Sequence, residues 1–237
     1  MMMVDNPRML ALDTSSQVSS VALCQGERLV AESALHLRST HSQSLLAQID
    51  DLLRAAGWGP ADLDLLAVVT GPGAFTGVRI GVATVKGLAQ VLNLPVVSVS
   101  SLTAVAMNLP LLRRPVCVFV DARKKEVYTQ LFQLHDGFPR PLNQARVIAP
   151  HEALADLPLD SCFVGDGVAV YYHLILQHGF EPSARAPACC HPIQASRVAA
   201  LALQDYFKGL AQRPEQVVPT YIRPSDAELN RQTNNVC

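Results

Sequence analysis

Apolar and polar positions along the chain change period several times, and the changes mark its elements. Met9-Leu-Ala-Leu-Asp13, Ser19-Ser-Val-Ala-Leu-Cys24 and Arg28-Leu-Val-Ala-Glu-Ser33 are short apolar or alternating runs. With a turn at Gln25-Gly26-Glu27 they predict a meander of strands. Leu45, Leu46, Ile49, Leu52, Leu53 and Ala56 then recur at helical spacing. Thr40-His-Ser-Gln43 has the form of a capping box and Gly57 suits a C-terminal stop, so a helix is predicted over Thr40–Ala56. Asp64 to Val69 reads as a buried strand, Phe75 to Leu92 as a helix, Val96 to Val99 as a strand and Ser101 to Leu112 as a helix.

After Pro115 the series restarts. Strands are predicted over Val116–Asp121, Glu126–Phe132 and Ala145–Ile148, followed by a short helix from His151 to Leu157. Cys162–Val164 is a strand, Val168–His178 a helix closed by Gly179, and Ser196–Lys208 a last helix stopped by Gly209. Each half reads as strand, strand, strand, helix, strand, helix, with little residue identity between the halves. This repeat of architecture predicts an α/β chain of two ribonuclease-H-like, actin-like lobes. The expected division is residues 1–104 and 105–195, with the helix at 196–209 packing back on the first lobe. The polar residues 223–237 are expected to form a flexible tail.

Composition narrows the classes. The 237 residues carry 19 Lys and Arg against 20 Asp and Glu, a formal net charge of -1, which argues against a strong electrostatic grip on nucleic acid. Charged residues are only 16%, below the roughly 25% of an average soluble domain, so extra surface buried against a partner is one reading and an Ala- and Leu-rich core is the other. No apolar run approaches the ~20 residues of a membrane span. The first residues lack a signal-peptide layout, and a cytoplasmic location with reduced thiols is expected. Cys24, Cys117, Cys162, Cys189, Cys190 and Cys237 form no C-x-x-C pair.

Thr70-Gly-Pro-Gly-Ala-Phe-Thr-Gly-Val-Arg-Ile-Gly81 is the most specific segment. It follows a strand and opens a helix, where backbone N–H groups can face an anion. It is neither a P-loop nor a dinucleotide fingerprint, and a tight turn requiring glycine explains it equally well. Gly77 and Gly81 are four apart, as are Ala83 and Gly87, so both pairs lie on helix faces stripped of bulk. A second helix, from this chain or another, can approach there. Asp13-Thr14-Ser15 and Asp121-Ala122-Arg123 occupy matching places in the two halves. In actin-like ATPases such acids organise a metal-nucleotide across a cleft, and Gly165-Asp166-Gly167 offers a further phosphate-facing turn. Turn and cap residues inherited from an ancestor are the alternative. His36 and His41, like His173 and His178, are five apart, not the four that aligns two ligands on a helix, and no H-E-x-x-H or G-x-S-x-G occurs.

Met9-Leu-Ala-Leu-Asp-Thr-Ser-Ser16, His41-Ser-Gln43, Gly71-Pro-Gly-Ala-Phe-Thr-Gly-Val-Arg-Ile-Gly81, Val120-Asp-Ala-Arg123 with Glu126-Val-Tyr128, Gly165-Asp-Gly167 and Pro219-Thr-Tyr-Ile-Arg223 together resemble the TsaB (YeaZ) family. They occur in the family's order over nearly the whole chain, with Ala74 where members often carry Ser. The resemblance implies an actin-like fold and a bacterial role in placing threonylcarbamoyl on tRNA adenosine. It implies a non-catalytic subunit that binds and activates the transferase TsaD together with the ATPase TsaE, and contacts tRNA mainly through that complex. TsaD carries a histidine metal motif that this chain lacks. The expected docking surface, for TsaD or for a homodimer, is His41, Leu45, Leu46, Ile49, Leu53, Gly77, Gly81, Thr84 and Leu88. Asp13, Thr14, Ser15, Gly71, Gly73, Asp121 and Gly165 are the candidate vestigial positions for ATP or ADP with magnesium. No cofactor is expected to be required, and no metal. The alternative function is an ATP-hydrolysing or phosphotransfer enzyme built on Asp13, Asp121 and the Gly71–Gly77 turn.

Overall fold

Ten strands and seven α-helices are found in a computed structural model, which describes residues 4–36 and 44–223. Strands β1 (Arg8–Asp13), β2 (Val18–Gln25) and β3 (Arg28–His36) form an antiparallel meander. Helix α1 (Leu45–Ala56) leads to β4 (Leu65–Gly71), α2 (Phe75–Leu92), β5 (Val96–Ser100) and α3 (Ser101–Ala106). The first sheet has the order β3-β2-β1-β4-β5, with β4 and β5 parallel to β1. Its central strands are buried on both faces, and therefore read as continuous apolar runs.

The second series repeats this plan. β6 (Val116–Asp121) pairs with β7 (Val127–His135) as β1 pairs with β2, and β10 (Cys162–Val164) lies parallel to β6 as β4 does to β1. The third place is shared by two short strands, β8 (Phe138–Pro141) and β9 (Arg146–Ile148), which pair with opposite ends of β7. The sequence pattern predicts only β9. Pro139 and Pro141 hide β8, since proline is tolerated in a sheet only where a strand lies at the edge. Helices α4 (Pro150–Ala155), α5 (Gly167–Val170), α6 (Tyr172–Gln177) and α7 (Ala195–Phe207) complete the described chain. The two sheets, each a ribonuclease-H-like unit with helices, make the actin-like, two-lobed α/β fold.

Three helices depart most from their predicted spans. α3 stops at Ala106, six residues before Leu112: Pro110 disfavours helical Leu109, and Asn108 turns its amide to the carbonyls of Cys190 and Pro192 at 2.8 and 2.7 Å. The Val168–His178 run breaks at Tyr171, whose ring packs edge-on against Phe119 at 6.1 Å. The described part of α1 begins at Leu45, with the predicted cap at Thr40–Gln43 outside the described residues. Its C-terminal stop is as predicted, with Gly57 at φ 69° donating to Arg54 at 3.1 Å.

α1 and α2 cover one face of the first sheet, where Leu45, Ile49, Leu53, Val78, Val82 and Val85 meet Leu10, Leu12, Leu66 and Val68. α3 and α7 cover the other face. There Leu102, Val105, Val198 and Ala202 join residues of both sheets, including Met9, Val97, Val118 and Phe132, in one core. Beyond α7 the chain adds Gln212 to the edge of β5 through bonds of 3.0 and 2.7 Å to Val96.

Candidate functional site

The Gly-rich turn links β4 to α2 and lies beside the β1–β2 turn. Ala74 N–H donates to the Ser15 carbonyl at 2.7 Å. A Cβ on Gly73 would stand 2.5 Å from that same oxygen, so this glycine is required by a close approach of backbone to backbone. Gly71, at φ 111°, lies under the Thr220 carbonyl, 2.7 Å from where its Cβ would be. The turn is thus packed at Gly71 and Gly73 by its own chain, while Ala74, Phe75 and Thr76 remain exposed.

Asp13, Thr14 and Ser15 are buried, with 0, 1 and 5% of their surface exposed. One Asp13 oxygen accepts from Ser15 N–H at 2.9 Å, and the other has no partner among the described residues. Burial pushes the Asp13 carboxyl up to about 6, against the lowering effect of the Ser15 and Thr14 hydrogen bonds. Thr14 Oγ1 donates to the Gly77 carbonyl at 2.7 Å. A Cβ on Gly81 would lie 2.5 Å from that oxygen and 3.2 Å from Leu12.

This placement corrects the expected docking surface. Gly77 and Gly81 are buried within their own chain: the Gly77 carbonyl accepts from Thr14 of the β1–β2 turn, and Gly81 lets α2 settle on Thr14 and Leu12. Leu45, Ile49 and Leu53 are likewise buried in the first lobe, at 1, 4 and 5% exposure. The amphipathic stripe of α1 is simply its core face. Leu46, at 57% exposed, points outward, and Thr84 and Leu88 are half-buried. His41 lies outside the described residues. The outer side of α2 carries exposed Ala83, Gly87 and Val91, flanked by half-buried Thr84 and by Ile80 and Leu88, which also pack against the core. Val91 is 84% exposed, and among the described residues a Cβ on Gly87 would meet nothing within 4 Å. Gln48, which periodicity alone passes over, is buried on α1 and bonds Ser19 at 2.9 Å and Ser33 at 3.0 Å.

The matching turn of the second lobe, β6–β7, is built differently. Asp121 N–H donates to Asp166 at 3.0 Å, and Asp121 accepts from Arg123 N–H at 3.0 Å. Burial raises the Asp166 carboxyl. Gly165, at φ 117°, and Gly167 pack on β6: added Cβ atoms would stand 2.5 and 2.8 Å from the Phe119 carbonyl. His191 accepts from Gly165 N–H through Nδ1 at 3.1 Å, and burial lowers its basicity. Arg123, Lys124 and Lys125 are all exposed and all left-handed, at φ 61, 52 and 62°. Side chains with a Cβ pay roughly 1 kcal/mol or more each for that conformation.

A strap joins the two turns. Thr220 N–H donates to the Thr70 carbonyl at 2.7 Å. Tyr221 stacks on Phe75 at 5.0 Å and accepts from Arg79 Nε at 2.8 Å, with the Arg79 guanidinium 3.7 Å over the Phe75 ring. Arg223 then donates to the Ala122 carbonyl at 3.1 Å and pairs with Glu126. Arg223, expected in a loose tail, is thus anchored to the second lobe; residues 224–237 lie outside the described residues. These contacts span more than 100 residues of chain, and no local pattern announces them.

Among the described residues no group of three or more His, Cys, Asp or Glu is placed to hold a metal ion, and no helix is long and apolar enough to cross a membrane.

Known proteins share this chain's sequence and fold. The family model described as tRNA N6-adenosine threonylcarbamoyltransferase, TsaD, matches residues 35–231. The tRNA threonylcarbamoyladenosine biosynthesis protein TsaB of Haemophilus influenzae is 38% identical, over 93% of this chain and 95% of that protein. TsaB of Bacillus subtilis is 30% identical, over 92% of this chain and 95% of that one. Among solved structures, YeaZ from Pseudomonas aeruginosa superposes with a TM-score of 0.80 at 32% identity, covering 91% of this chain and 99% of its own. A second Pseudomonas aeruginosa structure, described as similar to peptidase YeaZ, gives 0.81 at 32% identity, covering 92% of this chain and all of its own. Identity at this level along nearly the full length, with the fold reproduced, places the chain in the TsaB (YeaZ) family of tRNA threonylcarbamoyladenosine biosynthesis proteins.

Proposed function

We propose that this chain is a non-catalytic activator and scaffold of the threonylcarbamoyladenosine machinery, which acts in the cytoplasm by docking and activating TsaD together with TsaE. Involvement in threonylcarbamoyladenosine synthesis follows from the TsaB relatives. The observation that carries the finer reading is the outer row of α2. Ala83, Gly87 and Val91 are exposed on a helix whose inner face already fills the core. A helix with small and apolar residues on its outer side can admit a second helix closely. The same row supports a homodimer when TsaD is absent, so the two associations exclude each other. tRNA is reached mainly through the complex, and no bound nucleotide or metal is required for the scaffold role.

The ATP-hydrolysing alternative needs Asp13 to reach a metal-nucleotide, and its complete burial supports the scaffold reading instead. Reconstitution separates them. TsaD and TsaE, given tRNA and threonylcarbamoyl-adenylate, are expected to modify tRNA efficiently only when this chain is added, and the chain alone is expected to leave tRNA unmodified. Turnover by the chain alone that follows it through purification would overturn the proposal.

A further inference from the structure

Between β10 and α7 the chain crosses from the second sheet to the first, and the crossing carries two adjacent cysteines. Ala186 N–H still bonds the Phe163 carbonyl of β10 at 2.9 Å, and Ala195 N–H already bonds Ser20 Oγ of β2 at 2.9 Å. Between them Ala188–Cys190 forms one 3-10 turn, closed by Cys190 N–H on the Pro187 carbonyl at 2.9 Å. Elements of both lobes grip this turn. Asn108, just past α3, donates its amide N–H groups to the Cys190 and Pro192 carbonyls at 2.8 and 2.7 Å. His191 accepts the Gly165 N–H of the second lobe.

These two thiols differ from the other described ones. Cys24, Cys117 and Cys162 are buried, and burial raises all three, so they stay protonated and out of reach. Cys189 is exposed, while Cys190 is half-buried with its side chain packed on the core. Their sulfurs stand 4.0 Å apart, in hydrogen-bonding contact. Burial first, and the contact with Cys189 second, raise the Cys190 thiol, so Cys190 is the donor and Cys189 the sulfur open to solvent. A permanent bond between neighbours is disfavoured by chain geometry. Adjacent Cα atoms lie about 3.8 Å apart, whereas relaxed disulfides take ~4.4–6.8 Å. A bond closed here is strained and easily reduced, a property of disulfides that form and break and not of those that staple folds.

We propose that Cys189 and Cys190 are a reversible oxidation site for hydrogen peroxide. The Cys189 thiolate attacks one peroxide oxygen: an S–O bond forms, the O–O bond breaks, and the departing hydroxide takes a proton and leaves as water. The Cys190 sulfur then attacks the Cys189 sulfenic acid: the S–S bond forms, the S–O bond breaks, and the hydroxyl leaves as a second water with the Cys190 proton. Two thiols give two electrons to one peroxide. Reduction by an external dithiol restores the site. The new ring distorts the Cys189–Cys190 peptide, next to the carbonyl that Asn108 holds, and so loosens the grip of α3 on the crossing. This site is independent of the scaffold reading.

The test treats the full reduced chain with a small excess of hydrogen peroxide and follows intact mass, tryptic peptides and thermal melts. The mass is expected to fall by about 2 Da, the two hydrogens lost, with an internal disulfide in the peptide spanning residues 186–197. Dithiothreitol should reverse it. Closure is expected to lower the melting midpoint by about 2–4 °C. Cys190→Ser should stop at a Cys189 sulfenic acid that dimedone traps, and Cys189→Ser should react at least about tenfold more slowly. Peroxide that leaves both thiols free, a disulfide made instead to Cys237 or between two chains, or Cys189→Ser reacting at the wild-type rate would each overturn the site. So would oxidation of Cys189 to the sulfinic acid with Cys190 still free, which would show two independent thiols. A disulfide that forms with no change in melting would overturn its coupling to α3.

Discussion

Helix α2 carries two pairs of small residues at the same four-residue spacing, and they do opposite things. Gly77 and Gly81 lie on the inner face, where the Gly77 carbonyl takes a hydrogen bond from Thr14 and Gly81 leaves no room for a Cβ beside the same hydroxyl. Ala83 and Gly87 lie on the outer face, and among the described residues nothing stands near Gly87. The inner pair fixes α2 on β1 and so fixes the Gly-rich turn against Ser15. The outer pair packs against nothing among the described residues, and the proposed docking role is what would use its lack of bulk. Small residues at helical spacing signal a close approach; which body approaches is decided by the direction of the face.

The inner face should fail first. Gly81→Leu forces a side chain into Thr14 and Leu12 and disrupts the buried Thr14–Gly77 bond. Overpacking and a lost buried hydrogen bond together should cost about 3–5 kcal/mol, read by urea denaturation. A folded Gly81→Leu protein of near wild-type stability would show that the inner pair is not packed as described. This substitution therefore tests the core and not docking.

Next in size is the pH response of Asp13, which the inner packing keeps dry. Its carboxyl is raised from 3.8 to about 6 by burial, so the native state holds the proton more tightly than the unfolded chain. Its contribution is present below pH ~4 and is lost as pH rises through ~6. Wild type should lose roughly 2–3 kcal/mol over that interval relative to Asp13→Asn, measured as the difference of two denaturation series. Parallel curves would mean that Asp13 is hydrated.

The outer face should respond least in stability. Gly87→Ala adds a methyl group to an exposed helix position with free space, and should stabilise the isolated chain by about 0.5–1 kcal/mol in thermal or chemical melts. If the outer face receives a helix closely, the same methyl should weaken association with TsaD. Stabilisation with unchanged association would separate Gly87 from any docking role.

Much of this was legible in the sequence. Strand and helix periods, the Gly57 stop, the repeat of architecture and the family segments lead to the two-lobed fold without coordinates. What was not legible is direction and distance. Leu45, Ile49 and Leu53 of α1 are expected in the docking surface, yet all three lie inside, while Gln48 joins them by satisfying its amide with Ser19 and Ser33. The strap contacts of Tyr221 and Arg223 arise from chain ends meeting late residues with early ones. The left-handed Lys124-Lys125 turn reverses the residue preference by which such turns are recognised.

The outer face of α2 as a docking surface is tested most directly by sedimentation velocity of Ala83→Lys, alone and mixed with TsaD, beside wild type. Ala83 is exposed, so the substitution leaves the fold intact, which a melt verifies. The expected result is a folded monomer that forms neither homodimer nor TsaD complex at concentrations where wild type forms both. A folded Ala83→Lys protein that assembles with TsaD as wild type does would contradict the docking role of this face.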